Sequence, residues 1–179
     1  TSIQRQNIEN VTFVNHLPDT IMPESPGDPI RSYDGTNNTG NGHNNSTTTW
    51  KDLSGNYDGA IHGATWNNDY LSLDGTDDWV NLGNIDFTNQ ATLDITFAAK
   101  SIQAGQHVLM SNLEGQEVSL LLDGGVPMFR VYIEEIGGNI ALRANNSVTA
   151  GEITRITGTY DGTTLSLYVN GALVAQETQ

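Results

Sequence analysis

The feature that most constrains this chain is an alternation of apolar and polar residues that recurs from Leu71 onward. Between residues 91 and 99, apolar side chains occupy every second position from Leu93 to Ala99. The same alternation returns at 118–122, 129–134, 140–144 and 165–170. A period of two predicts antiparallel strands that bury one face and expose the other.

Residue pairs that tolerate a positive φ separate these segments. Such pairs predict tight turns, and a spacing of about 8–15 residues between them favours a β-sandwich or barrel over a βαβ arrangement. The turns are predicted at Asp74-Gly75, Asp123-Gly124-Gly125, Gly137-Gly138-Asn139, Asp161-Gly162 and Asn170-Gly171. We therefore predict an all-β fold.

The charge of the chain limits its partners. Acidic residues outnumber basic ones 21 to 7, which gives a formal net charge of -14. Such a chain repels phosphate backbones and anionic lipid headgroups, so we expect no nucleic-acid partner. No apolar stretch approaches the roughly 20 residues needed to span a bilayer, so we expect no membrane insertion in this segment. With 0 cysteines, the chain forms no disulfide and no cysteine-ligated metal site. An acidic, cysteine-free sequence rich in Asn, Thr and Gly fits an extracellular or cell-surface location.

The first 29 residues differ from the rest. A helical spacing of apolar residues predicts an amphipathic helix over Ser2–His16, but Val11–Val14 fits a single strand equally well. Four prolines between 18 and 29 then predict an extended connector. We interpret 1–29 as an arm or linker, which either forms a first strand or docks on a neighbouring chain. A polar run at 36–49 predicts a long exposed loop that contributes no core.

Several motifs follow one another in a distinctive order. They are Trp50–Asn56 (WKDLSGN), Gly63–Trp66, Leu71–Val80 and Thr159–Gly171. Together they resemble the laminin-G-like branch of the concanavalin A-like lectin/glucanase superfamily, and the resemblance covers residues 30–179. It implies a two-sheet antiparallel jelly-roll sandwich. Members of the family continue past the strand at 168–171, so we expect 30–179 to lack its last strands unless another chain supplies them.

The resemblance also raises the question of catalysis. Glucanases of this superfamily carry an E-x-D-x-x-E strand, which this sequence lacks. Glu134 and Glu135 are an adjacent acidic pair, but neighbouring strand residues face opposite sides of a sheet and cannot act together. The four histidines are scattered. We expect no enzymatic activity.

The resemblance permits a calcium site, because many laminin-G-like domains hold calcium in loops. Hard cations bind carboxylate and carbonyl oxygens. The candidate ligands, with Asn56, are expected to come together at one end of the sandwich: Asp52, Asp58, Asp77 and Asp78. The alternative is that these residues only cap turns.

A glycan site needs aromatic rings and polar groups on one exposed surface. Arg130 and Tyr132 share the outward face of one predicted strand, and Tyr168 shares a face with Asn170. Packing in the core or on a sheet is the alternative role for Trp50, Trp66 and Trp79. The predicted ligand-binding residues are Tyr57, Trp79, Arg130, Tyr132 and Tyr168.

Two functional hypotheses follow. In the first, the chain is a non-catalytic adhesion module of a surface protein or pilus that recognises glycans or glycoproteins, with calcium as a candidate cofactor. In the second, it is a structural subunit of a filament, surface layer or virion, in which the arm completes the sandwich of a neighbouring copy. A non-catalytic part of a glycoside hydrolase is a third, minor hypothesis.

Overall fold

The structure is a computed structural model, and it describes residues 11–14, 29–55, 57–85, 90–112, 118–133 and 136–179. This part of the chain is almost entirely β-structure, with one short 3-10 helix at Gly35–Asn37. Its strands are β1 Val11–Val14, β2 Thr49–Trp50, β3 Gly59–His62, β4 Thr65–Asn67, β5 Tyr70–Ser72, β6 Trp79–Asn81, β7 Ala91–Ala99, β8 Gln106–Ser111, β9 Val118–Asp123, β10 Val126–Ile133, β11 Gly138–Arg143, β12 Ile153–Tyr160, β13 Thr164–Val169 and β14 Ala172–Thr178.

The described strands form three sheets in which every pairing is antiparallel. A seven-stranded sheet has the order β14-β13-β12-β7-β1-β5-β4, a four-stranded sheet the order β11-β10-β9-β8, and a three-stranded sheet the order β2-β3-β6. The prediction of an all-β antiparallel sandwich is confirmed. The second layer differs from the expected single sheet because it is divided between the two smaller sheets.

The division of the second layer gives the sandwich two hydrophobic clusters. The larger cluster lies between β7, β12 and β13 on one side and the four-stranded sheet on the other, with Phe97, Phe129 and Ile156 fully buried. The smaller cluster joins β4 and β5 to the three-stranded sheet through Trp50, Trp66 and other residues. Each layer therefore buries one face against the other, as the alternation predicts.

The aromatic residues of the smaller cluster pack edge to face. Trp50 and Trp66 have ring centroids 5.2 Å apart, and their indole N–H groups donate to the carbonyls of Asp34 and Thr47. Trp50 and Trp66 therefore pack in the core, which is the alternative to a ligand-binding role that the sequence left open. Because edge-to-face contact and a satisfied N–H are both favourable for a buried indole, this arrangement fixes the position of the loops around it.

β1 lies between β7 and β5, so Val11–Val14 adopts the strand alternative and not the helical one. Phe13 is paired in register with Phe97 on one side and Leu71 on the other, both in the same chain. The other residues of the predicted helix, and the proline connector up to residue 28, lie outside the described residues.

Two local expectations need correction. The polar segment 36–49 is mostly exposed, but Asn38 within it is fully buried, because its side-chain amide bonds both the N–H and the carbonyl of Asn44. On β9, Ser119 and Leu121 are buried as well as Val118 and Leu120, so this inner strand has no exposed face. Among the described residues, no helix has the length and apolar character that crossing a lipid bilayer requires.

Candidate functional site

The three-stranded sheet organises most of the predicted site residues. β3 begins at Gly59, directly after Asp58, and ends at His62, which is paired with Trp79 at the start of β6. A strand rises about 3.3 Å per residue, so the two ends of the four-residue strand β3 lie about 10 Å apart. Asp58 and Asp78 therefore lie at opposite ends of this sheet. The expectation that the four aspartates come together at one end of the sandwich is not met.

Asp52 is the centre of the loop at the first end. Its side chain is buried and accepts hydrogen bonds from the N–H groups of Ser32 and Tyr57, each at 2.9 Å, and from the N–H and hydroxyl of Ser54 at 3.0 and 2.6 Å. Burial acts to raise the pKa of this carboxyl, but these donors together hold the pKa well below its usual range. Because donors surround both oxygens, Asp52 organises the turn.

Asp58 belongs to the same loop and supports Asp52. Its carboxylate accepts from Nζ of Lys51 and from the N–H of Asp52, each at 3.1 Å. The hydrogen bond from Lys51, followed by that from Asp52, lowers the pKa of Asp58. Asn56, which we expected to join these ligands, lies outside the described residues.

Tyr57 extends from this loop with its ring partly exposed. The Arg31 guanidinium carbon lies 5.5 Å from the ring centroid, which is within the range of a cation–π contact. Tyr33 donates its hydroxyl proton to the carbonyl of Tyr57, and burial followed by the charge of Asp52 raises the pKa of Tyr33 to about 12. Tyr57 is thus held in place, but no other predicted ligand-binding residue lies in this loop.

At the opposite end of the sheet, three aspartates converge. One carboxylate oxygen from each of Asp74, Asp77 and Asp78 lies within 4.8 Å of the others. The Asp74-Gly75 turn brings them together: Oδ1 of Asp74 accepts from Thr76 at 2.8 Å, and Oδ2 of Asp78 accepts from the N–H of Asp74 at 2.8 Å. Asp77 and Asp78 were predicted as metal ligands, whereas Asp74 was interpreted only as a turn residue.

The charge of this triad is only partly compensated. Burial raises the pKa of Asp78, the N–H of Asp74 lowers it, and the negative charges of Asp74 and Asp77 raise it, so that the pKa lies above its usual value. Gly63 has a φ of 76° and lies directly against Oδ1 of Asp78. A Cβ at position 63 would overlap this oxygen. A side chain at position 63 would therefore displace this carboxylate.

The chemistry of the triad suits a hard divalent cation. Calcium takes 6–8 oxygen ligands, and carboxylates are its preferred protein donors. Three carboxylates supply part of such a shell. Burial is the main cause of the raised pKa of Asp78, and the negative charges of Asp74 and Asp77 add to it, a repulsion that a cation would relieve. Asp74, Asp77 and Asp78 are the residues that would hold a calcium ion.

An aromatic pair adjoins the triad. The rings of His62 and Trp79 are stacked with centroids 3.9 Å apart and planes 8° from parallel. His62 is exposed and Trp79 is half-buried. Their strand neighbours Ile61 and Val80 pack against the smaller cluster, so His62 and Trp79 face away from it. Trp79 directly follows Asp78 in sequence, and Gly63, which directly follows His62, lies against the Asp78 carboxylate. The rings and the carboxylates therefore lie at the same end of this sheet, which we call the aromatic–carboxylate site: His62, Asp74, Asp77, Asp78 and Trp79.

The other predicted ligand-binding residues lie elsewhere. Arg130 and Tyr132 are on the outer face of the four-stranded sheet, opposite to Phe129 and Val131 in the core. Tyr168 lies on the outer face of the seven-stranded sheet, paired in register with Thr157. The two layers expose these faces in opposite directions. The five residues predicted to bind a ligand therefore occupy four separate places, and Tyr168 cannot share a site with Arg130 and Tyr132.

Comparison with known proteins identifies the family. The sequence profile of the concanavalin A-like lectin/glucanases superfamily matches residues 74–179, which is more than half of the chain. The chain belongs to this superfamily. No curated protein sequence matches the chain. A similar solved structure is that of an S-layer domain-containing protein (residues 221–444) from Clostridium thermocellum ATCC 27405, with 22% identity and a TM-score of 0.43, over 82% of this chain and 71% of that chain.

The sequence revealed some residues of the aromatic–carboxylate site and not others. Asp77, Asp78 and Trp79 stand in the Leu71–Val80 motif and were predicted from it. His62 was missed because its partner Trp79 comes from another strand, and only the β3–β6 register brings the two together. The sequence signal for Asp74 was present in the spacing D-x-x-D-D at 74–78. Glu134 and Glu135, the acidic pair considered for catalysis, lie outside the described residues.

Proposed function

We propose that this chain is a non-catalytic glycan-binding module of an extracellular or cell-surface protein, and that it binds sugar at the aromatic–carboxylate site. The observation that carries the proposal is the stacked His62–Trp79 pair beside three carboxylates. Membership of a superfamily that contains lectins supports it.

The chemistry of the site matches that of a saccharide. Sugar rings present apolar C–H faces that pack on an aromatic face, and their hydroxyl groups donate to carboxylates. A stacked pair of rings is pre-ordered, so that little side-chain freedom is lost when a sugar binds. Neutral glycans also meet no repulsion from the net charge of -14.

Calcium is a proposed component of the same site. When bound, the ion would neutralise Asp74, Asp77 and Asp78 and offer coordination positions to hydroxyl oxygens. The proposal thus predicts that calcium and sugar binding are coupled. The hydrogen bond from the N–H of Asp74 already holds the Asp78 carboxylate in position within the turn.

Binding without catalysis is the simplest use of these carboxylates. Hydrolysis of a glycoside requires an acid and a second carboxylate placed on either side of the bond, about 5–9 Å apart. In the triad the three converging oxygens lie within 4.8 Å of one another, on a single turn. This arrangement suits the binding of a cation or of sugar hydroxyl groups better than it suits a pair of catalytic groups on opposite sides of a bond.

The test is a glycan array with the full chain in calcium, followed by calorimetry on the best neutral ligand. Trp79→Ala and His62→Ala should each weaken binding at least tenfold, while Trp79→Phe should keep part of the affinity because a ring remains. Tyr168→Ala, an aromatic truncation on the other layer, is the matched control and should bind as the unaltered chain does.

Two results would overturn the proposal. One is an array without signal together with no binding at millimolar sugar, when circular dichroism shows a folded domain. The other is turnover of a β-glucan that Asp77→Asn or Asp78→Asn abolishes, because the triad would then belong to a glycoside hydrolase.

A further inference from the structure

A second surface has chemistry that the aromatic–carboxylate site lacks. On the outer face of the four-stranded sheet, Arg130 of β10 is paired in register with Ser119 of β9 and with Ala141 of β11. Two positions along β10, Tyr132 is paired with Asn139. We call this surface the arginine face: Ser119, Arg130, Tyr132, Asn139 and Ala141.

Arg130 is oriented but not neutralised. Its Nε donates to the hydroxyl of Ser119 at 3.3 Å, and Ser119 is itself buried. No carboxylate of the described chain lies within ion-pair distance of Arg130, whereas Arg31, Lys51, Arg143 and Arg155 each have an aspartate partner. Ala141, its register partner on the other side, is exposed and has only a small side chain.

The described residues of the strands that form this face carry few charges. The described residues of β8 to β11 include Arg130 and Arg143 against a single aspartate, Asp123, in a protein of net charge -14. Arg143 donates to the carboxylate and to the carbonyl of Asp123, so it is occupied. The available positive charge of the face is thus concentrated at Arg130.

Tyr132 and Asn139 define the other half of the surface. Tyr132 is 40% exposed, so its ring offers an open face. Successive residues on one side of a strand are about 7 Å apart, a separation that one sugar ring with an exocyclic carboxylate spans. An amide such as that of Asn139 both donates to and accepts from hydroxyl groups.

We infer that the arginine face binds a uronic-acid residue of an acidic glycan, with the Arg130 guanidinium on the sugar carboxylate and the Tyr132 ring against the sugar. The planar guanidinium matches a carboxylate through two parallel hydrogen bonds. The inference rests on the proposed function only in taking a glycan as the ligand, because it uses a different surface and a different group of residues.

The test is calorimetry of the full chain with oligogalacturonate and with its methyl ester, in 0.15 M salt. The acid should bind at least tenfold more tightly than the ester, which keeps the ring but lacks the charge. Arg130→Gln should remove this preference, and Arg130→Lys should reduce it, since lysine keeps the charge but not the paired geometry. A sulfated oligosaccharide without carboxylates should bind more weakly than the acid.

Arg155→Gln is the matched control, because it makes the same change in net charge on the opposite layer. At this salt concentration charges are screened over about 8 Å. The affinity of the Arg155→Gln variant for the acid should therefore differ less than twofold from that of the unaltered chain. The inference is overturned if the acid and the ester bind equally, if neither binds, if the sulfated sugar binds as well as the acid, or if Arg130→Gln has no effect. None of these results alters the neutral-glycan test on Trp79, so the two proposals fail separately.

Discussion

At the scale of single residues, two of the aspartates predicted as metal ligands have different surroundings. Asp52 is buried with donors on both oxygens, whereas Asp78 is only partly buried beside two other carboxylates. The pKa of the first lies below its usual range and that of the second lies above it. Two aspartates that the sequence presents alike therefore respond to pH in opposite ways.

Asp52→Asn should destabilise the fold by about 2–3 kcal/mol at pH 7, since hydrogen bonds to a buried charged group are worth about that much. The folded-state pKa of Asp52 is depressed, so its stabilisation is present above the unfolded pKa of about 3.9 and is lost as the pH falls towards the folded value. Urea unfolding at pH 7 and pH 3 measures this. The difference between variant and parent should be smaller at pH 3, and an equal difference at both would contradict the account.

Asp78→Asn should have the opposite effect on the free energy of unfolding at pH 7. A carboxyl whose folded pKa is raised contributes stability below its unfolded pKa and loses it as the pH rises through the folded value. Without calcium, the variant should therefore unfold at a higher temperature than the parent at pH 7. In calcium the parent should gain a higher midpoint and the variant should not. Melting curves in EDTA and in calcium test both statements, and Asp161→Asn, an exposed turn aspartate, serves as control.

If neither protein responds to calcium, the triad holds no such ion. Stabilisation of Asp78→Asn in EDTA would then remain as a purely electrostatic effect. If the variant is instead destabilised in EDTA, the hydrogen bond from Asp74 outweighs the repulsion within the triad.

At the scale of elements, β12 packs closely against β10 of the facing sheet. Gly158 of β12 lies against the ring of fully buried Phe129, and a Cβ there would overlap the ring. Leu93 and Leu167 flank Gly158 in register on the two neighbouring strands. A glycine in mid-strand usually weakens a strand, but here it makes room for a fully buried phenylalanine of the facing sheet.

Gly158→Ala should therefore destabilise the domain by about 1–3 kcal/mol, the usual range for inserting a methyl group into a packed core. Combining it with Phe129→Leu should cost less than the sum of the two changes, because the smaller side chain vacates the space. Gly138→Ala on β11 is the control, since its Cβ would meet nothing within 4 Å. Chemical denaturation of the four variants measures this, and additive effects would contradict the contact.

Elements also show what sequence can predict. The alternation in β7 and β10 depends on local burial, and turn pairs such as Asn170-Gly171 require only a positive φ, which both residues have here. The grouping of Asp74 with Asp78, and of His62 with Trp79, depends on strand register between distant segments. The choice between helix and strand at Val11–Val14 likewise depends on partners far along the chain, which a local pattern does not contain.

At the scale of the whole molecule, β1 connects the two halves of the larger sheet. In the described sheet order, β7 and β5 meet only through β1, with Thr12 in register with Ala98 and with Ser72. The larger cluster lies on the β7 side and the aromatic packing of the smaller cluster on the β5 side. A strand from the beginning of the sequence thus joins the arginine-face half of the sandwich to the half that carries the aromatic–carboxylate site.

Deleting residues 1–29 should therefore expose two strand edges, and unpaired edges recruit other strands. We expect the truncated chain to associate in sedimentation experiments, with the full chain at the same concentration as control. A synthetic peptide of residues 8–17 added in trans should restore the monomer, while the same peptide with Thr12→Pro should not, because proline lacks the N–H that a central strand needs. A truncated chain that stays monomeric with unchanged unfolding free energy would contradict this role of β1. A full chain that polymerises through the same segment would instead favour exchange of the strand between neighbouring copies.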